Sequence, residues 1–408
     1  MADKEINVNN LNLDAILSES AVAVSSSINA LIPFARVSFA LRRVPERCFA
    51  RLLPVPSCPK PGDVALARLE KVGKNTNLEL ANGRRCSLHE GDVLAVAFGN
   101  RYATEQFEGY AGADGDRCDL LSMGGLCGLI RSKHANVSEP TKLRLLGAIG
   151  DTHGNPLNLS QFALKSLAVV GRHPRVLVVC GTSMDAGKTF TAMSLIVGLK
   201  RLGKRVAAMK LTGTVCGRDT WSMKDAGAWP VLDFVDGGYP STFECSLEQL
   251  LGLYDLLRSH AGAQGADWIV VEVADGLLQQ QQETSALLKS HSFASTVDAW
   301  VFAMSDPVAA LGGVGLLRDW GIEPAAISGL ISLSPLAMRE AEVATGVRCY
   351  TAKELQQGDL NDLLRIENLT VLSPPFCDEE PQFSGLEETW DPCAAKDVIH
   401  SRELLKVS

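Results

Sequence analysis

The sequence predicts an α/β protein in which a parallel sheet wound with helices follows a separate β-rich N-terminal domain. Three observations carry this. From Arg175 onward, unbroken apolar runs such as "RVLVVC" and "WIVVEV" alternate with helical patterns such as "TFTAMSLIVGLKRLG" and "LEQLLGLYDLLRSHA". Such runs suit strands covered on both faces, as in a parallel sheet. Between residues 62 and 165 the texture is instead alternating, with turn signals between short runs. Third, the loop after "RVLVVC" is flanked by Gly181 and Gly187 and leads through Lys188-Thr189 into a helical pattern.

A chain of 408 residues with 46% hydrophobic content has ample core and is long enough for two or three domains. The expected division is 1–61 as an N-terminal segment and linker, 62–165 as a β-rich barrel or sandwich, and 166–408 as the sheet domain with a C-terminal α/β extension. The net charge of −8, with no dense Lys/Arg stretch, argues against nucleic acid as a partner. The 11 cysteines form no C-x-x-C pair, so they read as buried hydrophobes in a reducing compartment rather than a zinc site or disulfide framework. "MADKEINVNN" lacks the basic and apolar regions of a signal peptide. Apolar stretches fall short of the roughly 20 residues that span a bilayer, so a soluble cytoplasmic protein is expected.

Taken in order, 13–44 reads as a helix followed by a strand, and "PVPSCPKPG" (54–62) as a linker. "DVALARLEKVG" and "GDVLAVAFGN" alternate like half-buried strands. "NLELANGRRCSL" carries the Asn82-Gly83 hairpin signal, and a second hairpin is expected around Gly154-Asn155. "LLSMGGLCGLIRSKHA" is assigned to neither strand nor helix. Beyond Arg175, "RVAAMKL", "AWVFAM" and "AISGLISL" continue the strands. "VAALGGVGLLRDWG" continues the helices, and "VRCYT", a helix at "AKELQQ" and a polar tail close the chain.

The loop after Cys180 has the chemistry of an anion nest. Successive backbone N–H groups turn inward and the helix N-terminus adds partial positive charge. Gly181 and Gly187 allow the backbone to turn and approach phosphates. Lys188 is placed to reach the β- and γ-phosphates, and the Thr189 hydroxyl to ligate Mg²⁺. The long polar and aromatic segment 216–243 exceeds an ordinary α/β connector. It reads either as a substrate-binding segment or as a structural excursion or dimer contact. Arg218, Asp219 and Trp221 are its first candidate contacts, with Asp233, Asp236 and Ser241 behind them. Arg101, Tyr102 and Glu105 lie in a glycine-bounded loop that is a weaker candidate, and His134 and His153 read as turn residues.

The extended loop "GTSMDAGKT" resembles that of the dethiobiotin synthetase group within the SIMIBI class of P-loop NTPases, whose pattern is close to "GTDTEVGKT". The resemblance covers roughly 175–335. It implies a P-loop NTPase domain whose nucleotide contacts are Gly181, Thr182, Ser183, Asp185, Ala186, Gly187, Lys188, Thr189 and Phe190. It further implies a substrate-contacting Lys210 at the second strand end, with Thr214 nearby. Asp225 in "SMKDAGA" and Glu272 in "WIVVEVADG" are implied as metal residues beside Thr189, with Asp275 as a substrate contact. Asp225 also reads as a helix charge, and Lys210 as a surface residue.

The sequence departs from the group at Ser183, where an acidic residue stands, and at Leu333, where the purine-reading asparagine stands. "VADGLLQQQQ" replaces the group's substrate loop, so the biotin precursor is not the expected substrate.

The implied activity is Mg²⁺-dependent phosphoryl transfer from ATP, or from GTP, to a small carboxylate or amino-acid-like substrate. The outcome would be ligase- or kinase-type and ADP-forming, in a class whose members commonly form homodimers. The alternatives are a nucleotide-dependent switch or metallochaperone and a CoA-dependent N-acyltransferase. The last rests on a similarity of 216–243 to a bacterial P-loop family with relatives implicated in N-acetylation of D-amino acids. A small-molecule substrate is expected as partner, with no nucleic acid and no membrane.

Overall fold

Both faces of the alternating strands are apolar, and this decides how the N-terminal region folds. The computed structural model describes residues 30–167, 174–278, 282–358 and 360–364. The strands of this region are β1 (Arg36–Val37), β2 (Arg51–Leu53), β3 (Val64–Lys71), β4 (Asn77–Glu79), β5 (Arg85–Ser87) and β6 (Val93–Phe98). They continue with β7 (Arg101–Tyr102), β8 (Phe107–Tyr110), β9 (Arg117–Leu120), β10 (Leu126–Lys133) and β11 (Thr141–Gly150).

Strands β6, β3, β11, β9 and β10 pair in that order, and β10 returns to β6 through the parallel pairs Leu126–Ala97 and Cys127–Phe98. The five therefore close into a barrel, which removes the free edges that an open sheet would leave. Ala65, Ala67, Leu69, Leu94, Val96, Phe98, Leu143 and Leu145 form one apolar cluster. The alternate residues Val64, Leu66, Val93, Ala95 and Ala97 belong to a larger cluster that continues into the parallel sheet. This explains why β6 is buried along its whole length.

The Asn82-Gly83 turn joins β4 to β5, with Gly83 at φ +84°. The chain also doubles back after β11, where the Asp151 N–H donates to the Asn155 carbonyl at 2.9 Å. The stretch assigned to neither class supplies β10. Strands β1 and β2 pair with β6 and β11, so the barrel sheet takes in chain that precedes the proline-rich stretch. The helix expected near the start of 13–44 falls largely outside the described residues. The strand expected after it is the two-residue β1.

The second sheet contains β12 (Arg175–Gly181), β13 (Val206–Lys210), β14 (Val231–Asp233), β15 (Trp268–Glu272), β16 (Ala299–Ala303) and β17 (Ala326–Ser328). Its order is β14-β13-β15-β12-β16-β17 and every pairing is parallel. Val176, Val178 and Cys180 of β12 join one core cluster, and Leu177 and Val179 join the other, as a strand covered on both faces requires. The helices are α1 (Lys188–Arg201), α2 (Gly217–Asp225), α3 (Leu247–Ala263), α4 (Gln282–Lys289), α5 (His291–Ala294), α6 (Pro307–Asp319), α7 (Pro335–Thr345), α8 (Ala352–Gln357) and α9 (Asn361–Leu364). Helix α3 starts with a reciprocal capping box between Ser246 and Gln249. "AKELQQ" is α8, and "VRCYT" contributes a single bridge, Ile327–Cys349.

Barrel and parallel sheet belong to one compact unit. Arg42 donates to Asp233 at 2.5 Å and to Asp236 at 3.3 Å, and Arg43 reaches Asp236 at 3.2 Å. Burial pushes the Asp233 carboxyl above its ordinary value, against the pull of Arg42. These contacts correct the reading of Asp233 and Asp236 as substrate residues, since the carboxylates anchor the segment that leads into the barrel. Removing one partner of a buried ion pair leaves the others uncompensated. Arg42→Ala is expected to cost about 3–5 kcal/mol of stability. Urea unfolding checks this, and a loss below about 1 kcal/mol, the value of an exposed pair, would contradict it.

Candidate active site at the carboxyl edge of the parallel sheet

The loop between β12 and α1 is shaped by two glycines. Gly187 sits at φ +92°, in the left-handed region, and a Cβ there would lie 2.9 Å from the Gly329 Cα. A Cβ on Gly181 would lie 2.7 Å from the Ala303 carbonyl oxygen and 2.9 Å from the Lys188 side chain. Lys188, the first residue of α1, is buried and folds back over the loop, donating to the Ser183 carbonyl at 2.6 Å. Burial holds its ammonium pKa below the ordinary lysine value. A buried cation over a turn of backbone donors is an arrangement that attracts a polyanion.

The neighbouring strand ends bring carboxylate and ammonium together. Lys210 and Glu272 are register partners at the ends of β13 and β15. Their side chains meet at 3.3 Å, and Lys210 also pairs with Asp219 of α2. Burial opposes the charge on Asp219, but Lys210 outweighs it and holds the carboxyl below its usual range. Burial opposes the charge on Lys210 too, yet Glu272 and Asp219 raise its pKa above the ordinary value.

Glu272 is 1% exposed and accepts from the Thr189 hydroxyl at 3.1 Å through Oε1. Its Oε2 is buried with no hydrogen-bond partner. Burial raises its pKa above the usual carboxylate range. An unpartnered buried carboxylate oxygen is costly, and here it lies beside a hydroxyl at a phosphate loop. That donor set fits Mg²⁺, which takes oxygen ligands and usually draws on one or two carboxylates, substrate phosphates and water. Among the described residues no three His, Cys, Asp or Glu side chains form a metal cage, as expected of that partial set.

A cleft of 310 Å³ gathers Asp185, Gly187, Lys188, Thr189 and Phe190 from the loop, Lys210 from β13, Arg218 and Asp219 from α2, and Glu272 and Asp275 from the end of β15 and the turn beyond. Ser222, Met184 and Met193 also line it. Ser222 was legible only as the residue four positions after Arg218, on the same helix face. Gly181, Thr182, Ser183 and Ala186 build the loop without lining the cleft; the Ala186 carbonyl accepts from the Leu330 N–H at 3.1 Å.

Several expectations are corrected. Asp225 is exposed at the last position of α2 and does not line the cleft. It follows Asp219 by six residues, which at 3.6 per turn places it about 120° round the helix. Thr214 is bridged to Ser241, and the Ser241 hydroxyl accepts from the Phe243 N–H at 3.2 Å, so neither lines the cleft. Trp221 donates to Glu79 of the barrel at 3.1 Å. Arg101 is buried, donating to the Leu121 carbonyl and, at 2.9 Å, to Gln106, and burial lowers its pKa to about 10. Tyr102 packs on Phe243 at 5.3 Å between ring centres, and Glu105 is exposed. His134 accepts from the Asn136 N–H at 3.2 Å, and His153 lies in the turn held by Asp151.

The residue that sequence reading missed is Glu79. It is buried on β4 and accepts from the Gly217 N–H, at the start of α2, at 2.7 Å. A carboxylate there satisfies an orphan helix donor and complements the helix dipole. The barrel thereby holds the helix that carries Arg218 and Asp219 into the cleft. Glu79→Ala is expected to cost about 1–3 kcal/mol by leaving buried donors unpaired. It should lower turnover while leaving nucleotide affinity within about twofold, because the phosphate loop is untouched. Parallel kinetics and calorimetry check this; equal losses in both quantities would contradict it.

No family model matches the chain, and no curated protein matches it. Among solved structures it is similar to signal recognition particle 54 kDa protein from Aeropyrum pernix K1 in complex with GDP, at 21% identity and TM-score 0.32 over 46% of this chain and 44% of that one. It is also similar to the cell division protein FtsY from Thermotoga maritima, at 14% identity and TM-score 0.34 over 50% of this chain and 74% of that one. A third is the receptor FtsY from Elizabethkingia anophelis in complex with GDP, at 12% identity and TM-score 0.31 over 51% of this chain and 68% of that one. The chain matches less than half the length of the first of these. Likeness at this level carries no argument, and the fold and the chemistry rest on the topology and side chains described above. No helix among the described residues is long and apolar enough to cross a membrane. The parallel sheet, the glycine-flanked loop and Lys188-Thr189 at the start of α1 make this an α/β chain with a P-loop NTPase fold, joined to a β-barrel.

Proposed function

We propose that this chain is a Mg²⁺-dependent enzyme that moves the terminal phosphoryl group of ATP or GTP to a small anionic acceptor of carboxylate or amino-acid type. The observation that carries this is the unpartnered buried oxygen of Glu272, beside the Thr189 hydroxyl, at a cleft that also contains Lys188 and Arg218. Loop N–H groups and Lys188 hold the β- and γ-phosphates. Thr189 and Glu272 are the protein oxygens that would hold Mg²⁺, which when bound neutralises charge on the phosphate oxygens. Lys210 is already balanced by Asp219 and Glu272, so the attraction of an anionic acceptor passes to Arg218. Arg218 lines the cleft, is exposed and makes no ion pair among the described residues.

The resemblance of the loop to dethiobiotin synthetases supports a ligase or kinase outcome. A nucleotide-gated switch is favoured by one observation. Leu333 (77% exposed), Leu336, Val308 and Val343 (88% exposed) lie bare on α6, α7 and the turn before α7, and Leu330 in that turn bonds the phosphate loop.

Release of ADP or GDP, measured with Mg²⁺ and ATP or GTP in the presence of amino and dicarboxylic acids, separates the readings. Release stimulated by an acid supports the proposal. Slow release indifferent to every acid supports the switch. Acetyl-CoA consumption without release of ADP or GDP would overturn both.

A further inference from the structure

A second cavity, of 190 Å³, lies behind α2 on the side away from the cleft. Helical phase explains the division. Arg218, Asp219 and Ser222 face the cleft, whereas Trp221 and Lys224 line the second cavity, so α2 is a partition between two spaces. Phe39 from the barrel segment, Trp221 and Trp229 provide aromatic walls, and Trp229 is 66% exposed. The volume exceeds the roughly 30 Å³ share of one water, so the space suits a small organic molecule.

The charges around it decide what kind of molecule. Asp233 and Asp236, which also line it, are already engaged. They accept from Arg42 and Arg43, and additionally from the N–H groups of Val235 and Asp233 at 2.7 and 2.9 Å. The unmet demand is on the donor side. Arg42 lines the cavity, and its buried Nη1 has no hydrogen-bond partner. Lys224 makes no ion pair with the described carboxylates, and its ammonium lies 5.1 Å from the centre of the Trp221 ring and 6.0 Å from that of Trp229. The Arg42 guanidinium lies 4.5 Å from the Phe39 ring centre. Cations therefore already lie near these rings, and a cationic ligand would meet like charge.

We propose that this cavity binds a small planar aromatic carboxylate, its ring against Trp221 and Trp229 and its carboxylate toward Arg42 and Lys224, and that the bound molecule acts through α2 on the cleft. The binding half stands on this cavity alone, and the action on the cleft rests on the proposed phosphoryl transfer.

The test titrates the full chain calorimetrically with indole-3-carboxylate, benzoate and nicotinate, using tryptamine and indole as the cationic and neutral counterparts. At least one carboxylate is expected to saturate in the micromolar to about millimolar range, and to bind at least about tenfold tighter than tryptamine or indole. Lys224→Ala and Trp229→Ala, neither of which lines the cleft, should each weaken that binding about tenfold or more with unchanged nucleotide affinity. Unaltered binding in both variants, tryptamine as good a ligand as the acid, or no saturation by any of the three acids would overturn the site. Release of ADP or GDP is then followed with the best acid added. A change in rate that is lost in Lys224→Ala supports action through α2. Binding with the rate unchanged keeps the site and overturns that action. A chain inactive on every acceptor refutes phosphoryl transfer and leaves the binding result standing.

Discussion

Lys188→Ala is expected to lower nucleotide-dependent turnover by about 10²–10³, the loss typical of removing one donor aimed at developing charge. The ammonium is buried, its pKa is depressed by that burial, and its hydrogen bond is to the Ser183 carbonyl of the same loop. A protein gains little stability from such a group, because desolvating a charge costs more than its single hydrogen bond to a carbonyl returns. Stability should accordingly stay level or rise in the variant. A residue that lowers turnover without lowering stability is held for its chemistry. Steady-state kinetics with thermal melting checks both parts, and unchanged turnover would remove Lys188 from the mechanism.

Glu272→Gln should reduce turnover by a similar factor of about 10²–10³ and raise the Mg²⁺ concentration needed for half-maximal rate. The exchange keeps the shape while removing the charge that a hard cation requires. Asp219 continues to pair with Lys210, so the fold tolerates the change. Burial raises the Glu272 pKa in the folded state. Its contribution to stability is therefore present below the unfolded value of about 4.3 and lost as pH rises through the raised folded value. The glutamine variant should lack that loss, so its stability falls less over the same interval. Chemical unfolding at a series of pH values reads this directly. An unaltered Mg²⁺ requirement would contradict the metal role.

The phosphate loop and the strand ends were legible because they are local. An apolar strand, a turn with two glycines and a lysine-threonine helix start specify one geometry over a short stretch. Lys210 and Glu272 follow from the same logic, since each is a charged residue closing an apolar run. Long-range relations were not legible. Barrel closure depends on β10 meeting β6, and no local pattern distinguishes that from a sandwich. Asp233 and Asp236 looked available to a substrate, yet their partner Arg42 lies 191 and 194 positions earlier. Glu79 is 138 positions from Gly217, the amide it accepts from. Asp225 was a fault of helical phase: the acid that reaches Lys210 is Asp219, and the step of six positions between them turns Asp225 away.

The turn after β12 is expected to hold a polyphosphate with Mg²⁺. Calorimetric titration of the wild-type chain with the β,γ-imido analogues of ATP and GTP, with Mg²⁺ and then with the metal chelated, tests it most directly. Saturable binding of at least one analogue, weakened about tenfold or more by chelation, is the expected result. Failure of both analogues to saturate, or an affinity indifferent to the metal, would contradict it.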